Sequence, residues 1–385
     1  MLPVALLAGL GLTLLFSRES FVEDPERFWL AGGLLPLLVW LLFASFAYLV
    51  YQCRVACVDV WNEMIEEQRA KAVRYGQRSL SVLAVNWHSG LREAQAQNGQ
   101  AQWCALAGGE VALKAQPGWR EEVGAARHSR LQRQPQETQE QLIARVLRQL
   151  ASELAAALAS IPSGTRLAVL FEGHCQLPEG VLDSLWQQAW SDAGIDLPSR
   201  RLERRGLDAL DHWLDHHHSS PDLLLVVALQ VDPLSVEGSA EAAVALLLGN
   251  PSSESTLPEL ARLHRPEQER QATTEALTYA LGQALEWGSL QAAAVSQAWL
   301  TSVAVERRAE LTAAMANLEI PARPGQRIHD LDATLGCPGC VAPWLAVAAA
   351  TQAVQAEGGP QLIVSGEATA GATTLWGMLV TRPAA

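Results

Sequence analysis

The chain has 385 residues, 49% of them hydrophobic and 18% charged, and a formal net charge of -13. That is room for a membrane segment plus one or two globular units with a real core, and too apolar a balance for a disordered chain. The acidic excess argues against binding a phosphate backbone, which needs clustered lysine and arginine, and the densest basic groups, 145–148 and 200–205, read as solvated helix or loop faces. Six cysteines scattered over so long a chain are not the dense framework of a small secreted domain and fit a reducing compartment.

Residues 29–51 carry no charge and, at about 1.5 Å rise per residue, can cross a hydrocarbon core of roughly 30 Å. Residues 1–17 are also uncharged but shorter, a first span or the apolar core of a signal sequence. A signal peptide is disfavoured, because no basic residue precedes the run and Ser17-Arg18-Glu19 offers no small-x-small cleavage site. Between the runs, 18–27 holds Glu19, Glu23, Asp24 and Glu26 against Arg18 and Arg27, whereas Arg54, Arg69, Lys71, Arg74 and Arg78 follow the second run. Positive residues stay inside. The expectation is a transmembrane helical hairpin over 1–52 in a bacterial inner membrane, its acidic loop in the periplasm and the soluble part in the cytoplasm. A membrane-proximal helix over 53–78 follows, with Val58, Trp61, Met64 and Ile65 on one face and Glu66, Glu67, Arg69 and Lys71 on the other. Cys53 and Cys57 share a face of it at the membrane edge, where packing is preferred over palmitoylation.

Beyond residue 79, apolar strand-like runs alternate with Ala/Leu-rich helical runs, the pattern of βαβ units and a largely parallel sheet, so the fold class is α/β. Strands are expected at 80–86, 166–172, 222–230, 242–248, 361–365 and 374–381. Helices are expected at 137–159, 179–193, 206–217, 267–287, 290–303, 307–317 and 341–357. The stretch 221–249 parallels 360–381, each a buried strand, a small-residue turn and a second apolar strand. The chain therefore reads as duplicated, with halves at 79–250 and 251–385.

A duplicated αβ half of this kind resembles the thiolase and β-ketoacyl synthase fold. The run Asp332-Ala333-Thr334-Leu335-Gly336-Cys337-Pro338-Gly339-Cys340, followed by an Ala-rich helix, is similar to that family's Gly-His-Thr-Leu-Gly-x-x-Gly turn. The resemblance implies a cysteine nucleophile at the start of a buried first-half helix and charge-stabilising residues from the second half. Yet 200–205, which lead into the helix at 206–217, contain no cysteine, and Ala333 stands where the motif has its histidine. A pseudo-enzyme without catalytic residues is the expectation.

Three groups invite chemistry. Cys175 follows His174 on a strand, where neighbouring side chains point apart. Cys337 and Cys340 have redox or zinc spacing but lack a second ligand pair, so small residues packed at a tight turn are the preferred reading. The run 216–218 has His212 one turn earlier, and imidazoles four apart share a helix face, but at a helix C-terminus they read as solvated groups that suit its dipole. No catalytic, cofactor or metal residue is therefore assigned.

The strand Ser79-Leu-Ser-Val-Leu-Ala-Val-Asn-Trp-His-Ser-Gly90 resembles the opening of the bacterial type VI secretion lipase-adapter family, echoed by Trp103 and Trp119. That resemblance implies an adapter that loads an effector, a lipase-type toxin or a spike component. The thiolase-like resemblance implies a homodimer, and pairing with a related thiolase-like protein is equally compatible with the sequence. Thirteen tryptophans against four tyrosines supply candidate interface anchors, though Trp29 and Trp40 belong to the span. The competing reading is a divergent acyltransferase or synthase using Cys175 or Cys337.

Overall fold

The computed structural model describes residues 2–16, 25–92, 100–119, 124–162, 164–218, 220–251, 257–321, 328–369 and 372–383, in two compact units, 1–72 and 73–385. The expected acidic loop lies mostly outside the described residues.

In the first unit, α1 (Leu2–Phe16) is followed by a helical turn, Pro25–Trp29, a π-helical turn, Leu30–Leu34, and α2 (Leu35–Gly76). The widened turn contains the Gly32–Gly33 pair and precedes Pro36, which has no N–H to donate. Gly32 is buried, and a Cβ there would lie 3.2 Å from the Leu10 side chain and 3.4 Å from the Thr13 hydroxyl. Pro25–Gly76 is long and apolar enough to cross a membrane, with a mean hydropathy of 2.2 in its apolar window. The expected span and membrane-proximal helix are one helix without a break at residue 52. Val58, Trp61, Met64 and Ile65 are exposed along it. Cys53 and Cys57 are exposed too, so the packing expected for them is not found among the described residues.

The second unit opens with β1 (Ser79–His88), α3 (Gln100–Ala107) and a separate hairpin of β2 (Lys114–Pro117) and β3 (Ala125–His128). Next, α4 (Gln139–Leu158) starts at a capping box in which Thr138 and Gln141 satisfy each other's backbone N–H. It buries Leu142, Ile143, Val146, Leu147, Leu150 and Leu154, an apolar stripe at helical spacing. The chain continues through β4 (Leu167–His174), α5 (Glu179–Asp192), β5 (Ser199–Arg201), α6 (Gly206–His217), β6 (Leu223–Gln230) and β7 (Ala242–Gly249). Both β6 and β7 are buried at every position, as continuous apolar runs require. The remainder is β8 (Ala261–His264), β9 (Glu267–Gln268), α7 (Thr274–Trp287), β10 (Gln297–Thr301), α8 (Arg308–Asn317), β11 (Ile328–Asp330), α9 (Leu331–Thr334), α10 (Ala342–Ala356), β12 (Gln361–Thr369) and β13 (Ala372–Thr381).

One sheet runs β11-β10-β12-β13-β8-β1-β7-β6-β4-β5, with β9 beside β13. Each flank, read from its outer edge, places its third, second, fourth, fifth and first strand in turn, and β1 and β8 meet antiparallel at the seam. The stretches 221–249 and 360–381 supply the fourth and fifth strands of the two flanks. Helices α6 and α10 form the central layer: Leu224, Val226 and Ala228 of β6 and Ile363 of β12 join its core. Leu223, Leu225, Val227 and Leu229 face α4 and α5 instead, while Leu362 and Val364 face α7 and α8. Predominantly apolar, α10 buries 11 of its 15 residues, including Trp344.

Three expectations are corrected. The sheet is mixed, because only β4–β5, β4–β6, β10–β11 and β10–β12 run parallel. The helix expected at 290–303 is a 3-10 turn at Ala292–Ala294 followed by β10, whose Ala298 and Trp299 are fully buried between β11 and β12. Pairing on both edges outweighs its helix-forming composition. The helix expected from 267 begins at Thr274, where the Thr273 hydroxyl accepts the Ala276 N–H, and 267–268 pair with β13.

Candidate functional site

The N-terminus of α6, where the resemblance would put a nucleophile, is occupied by a carboxylate. Gly206 opens the helix at φ 60°, a left-handed conformation that suits glycine, and its N–H donates to Glu172 Oε1. Trp344 Nε1 donates to the other oxygen, Oε2, at 3.1 Å. Glu172 ends the apolar run of β4, so the strand delivers it to the mouth of α6, while Trp344 arrives on α10. From β12, Glu367 comes so close that a Cβ on Gly206 would lie 2.8 Å from its Oε1, and its Oε2 accepts from Trp376 Nε1 at 2.9 Å. Burial raises the Glu172 pKa, and the charge of Glu367 adds to this; the Gly206 and Trp344 hydrogen bonds pull it back. Two acids and two tryptophans thus meet at the mouth of α6.

Cys340 also reaches this mouth, from the 3-10 turn Gly339–Val341 ahead of α10. Burial, then the nearby Glu172 charge, pushes its pKa up to about 12, so it is a thiol at neutral pH, with Sγ 3.6 Å from the Leu229 carbonyl oxygen. Cys337 lies in a second cluster at the end of β10, with Sγ 3.3 Å from Ser302 Oγ. Beside it Asp332 accepts from Thr301 Oγ1 at 3.2 Å. Burial, then Asp332, raises the Cys337 pKa, and burial raises that of Asp332. Cys175 is half-buried, and burial raises its pKa as well. All three thiols are shifted upward; at Cys340 the Arg205 charge pulls the other way but is outweighed by burial and Glu172.

The turn carrying Cys337 and Cys340 has a backbone reason for its glycines. Gly336 lies at φ 91°, and a Cβ there would come 2.6 Å from the Ser239 carbonyl oxygen. Gly336→Ala is expected to cost about 1–3 kcal/mol from backbone strain alone, read as a lower midpoint in thermal or urea unfolding of the purified protein. An unchanged midpoint would contradict it. Ala333 is exposed in α9, where its N–H donates to Asp330 at 3.1 Å.

The histidines at the end of α6 are spread over its surface. His212 and His216 have ring centroids 4.0 Å apart, while His217 stacks on Trp213 at 4.0 Å. Among the described residues no three histidine, cysteine or acidic side chains converge as metal ligands. Nearby, Tyr75, Arg78 and Arg265 bind the last turn of α6: Arg265 pairs with Asp211 and Asp215, and Arg78 donates to the Leu214 and Asp215 carbonyls. Sequence reading missed Glu172, Glu367, Trp344 and Trp376. Its one available signal was a carboxylate closing an apolar strand.

No family model matches the chain, and no curated protein matches it. Among solved structures, the PfaC keto synthase–chain length factor is similar over 80% of this chain at 13% identity and a TM-score of 0.55, and this chain spans 43% of that one. A Streptomyces albus oxazolomycin ketosynthase domain matches over 79% of this chain and 95% of its own, at 13% identity and a TM-score of 0.54. A type II polyketide ketosynthase, solved in complex with its acyl-carrier protein, matches over 79% and 99% at 11% identity and a TM-score of 0.54. At these identities the likeness shows a mixed α/β, thiolase-like fold and nothing of activity.

Proposed function

We propose that this chain is a membrane-anchored, non-catalytic thiolase-like adapter that binds an effector, a lipase-type toxin or spike component, of a type VI secretion system. The observation that carries the non-catalytic part is the Glu172 carboxylate on the Gly206 N–H at the mouth of α6. A helix N-terminus that would favour a thiolate or stabilise an oxyanion is already neutralised there. In this reading 1–52 form a hairpin in the bacterial inner membrane, the rest lies in the cytoplasm, and 79–250 and 251–385 are halves of a duplicated domain. The matching strand order of the two flanks supports the duplication, and the apolar stretch Pro25–Gly76 supports the anchor. Pairing through the exposed edge strand β5, as a homodimer or with a related thiolase-like protein, fits the same reading.

The competing reading, an acyltransferase or synthase using Cys175 or Cys337, has raised thiol pKa values against it. Tagged full-length protein, purified from secretion-competent cells, is expected to bring down an effector or spike protein. Incubated with acyl thioesters, it is expected to gain no acyl mass. An adduct lost in Cys175→Ala or Cys337→Ala would overturn the non-catalytic reading, and recovery of membrane-complex components alone would overturn the adapter reading.

A further inference from the structure

Away from the mouth of α6, a cavity of about 540 Å³ opens between the end of β1, α3 and residues 130–133. Its volume falls within the roughly 300–1,000 Å³ of small-molecule sites, and it shares no residue with the Glu172 cluster. Three arginines line it. Arg92 is paired with Glu153, and Arg133 Nη2 with the buried Glu241 at 2.8 Å. Arg130 differs: its Nε donates to His128 Nε2 at 2.9 Å, its Nη2 donates to the Pro117 carbonyl, and its guanidinium lies 5.4 Å from the Trp119 ring. These partners are neutral, since His128 must be unprotonated to accept from Arg130. Glu241 and Asp232 act on Arg130 only through space, and the Glu241 oxygens are taken up by Arg133 and by the Leu131 and Asp232 N–H groups. Glu110, on the rim, is solvent-exposed.

Buried polar atoms around this space lack partners. Arg133 Nε is one, and His88 Nε2 is another, in a void of about 20 Å³ that shares Arg92, Leu131 and Gln132 with the cavity. Such atoms are rare in folded proteins and call for a water or a ligand, and that void has room for one water. We propose that the cavity binds a small organic anion, with a phosphate or carboxylate on Arg130 and an apolar body against Leu91, Ala101, Ala105 and Leu131. Among the described residues of the wall, Arg130 supplies the one positive charge without a carboxylate partner, in a fork that matches either acid. With Glu110 on the rim, a ligand with a single acidic end fits best.

Calorimetric titration of the full-length protein in detergent with phenyl phosphate, phenylacetate and the neutral benzyl alcohol tests this. One or both anions are expected to bind at about millimolar affinity or tighter, and the alcohol not at all. R130Q is expected to weaken that binding by about tenfold or more, and R148Q, at an exposed pair with Asp192 that lines neither space, to leave it unchanged. Equal binding to R130Q, or no binding of either anion at about ten times that concentration, would overturn the site. Should R130Q fail to fold, the wild-type protein decides alone: alcohol binding as well as the anions, or anion binding insensitive to salt, overturns it.

Discussion

Glu269→Ala is expected to lower stability by about 3–5 kcal/mol and the melting temperature by on the order of 10 °C. The Glu269 side chain is fully buried, and Arg307 meets it with two bonds of 2.7 Å, Nη1 to Oε1 and Nη2 to Oε2. Oε1 also accepts the Leu375 N–H at 2.8 Å, so one carboxylate closes the chain between β9 and α7 onto β13. Truncation would leave a buried guanidinium facing a methyl group and a backbone donor with no acceptor. Glu310, which binds Arg307 Nε at 2.6 Å and is partly exposed, compensates part of the charge and pulls the loss towards the lower end. The double variant Glu269→Leu/Arg307→Met removes both charges and is expected to recover most of the loss, because a buried pair contributes little net stability over apolar groups of similar size. A single variant that melts within about 2 °C of the wild type would show that this pair does not hold the second flank together.

What was legible in the sequence was whatever a short window contains. The apolar runs of β6 and β7, the Thr138–Gln141 capping box of α4 and the Ala-rich α10 all announce themselves within one element. The boundaries of α6, 206–217, coincide with expectation. By contrast β10 looked helical because Ala292, Ala293, Ala294 and Ala298 are good helix formers, and only pairing with β11 and β12 on either edge makes it a strand. The candidate site was less visible for the same reason. Glu172 meets Trp344 from 172 residues away and Gly206 from 34, so no local pattern joins them. That 200–205 contain no cysteine could be read directly; the carboxylate at the mouth of α6 could not. The arginine cavity is similar, since Arg92 and Arg130 come together only after β1 and the segment behind β3 are in place.

Acid should destabilise this protein through two buried histidines, one of them at the seam between its two flanks. His264 lies at that seam, on β8 opposite Ser79, while His88 ends β1 away from it, opposite Ala243 of β7. Burial first, then nearby arginines, lowers the His88 pKa to about 3 and that of His264 to about 4. An unfolded histidine titrates near 6.5, so between these values the unfolded chain takes up a proton that the folded chain refuses. Stability contributed by the neutral rings is complete above about pH 6.5 and is lost as the pH falls towards 4 and then 3. At about 1.4 kcal/mol per pH unit the full loss is on the order of 3–5 kcal/mol for each ring. Buried carboxyls act in the opposite sense. The raised pKa values of Glu172, Glu241 and Asp332 make the folded state hold protons longer, so stability falls as the pH rises through their range. A raw stability profile mixes the two, and the difference between wild type and variant separates them. In urea unfolding at about pH 7 and about pH 5, His264→Gln, which can keep a hydrogen bond to Thr381, is expected to lose less stability on acidification than the wild type. Equal losses would mean that the ring at the seam takes up its proton without cost, and that acid sensitivity lies elsewhere.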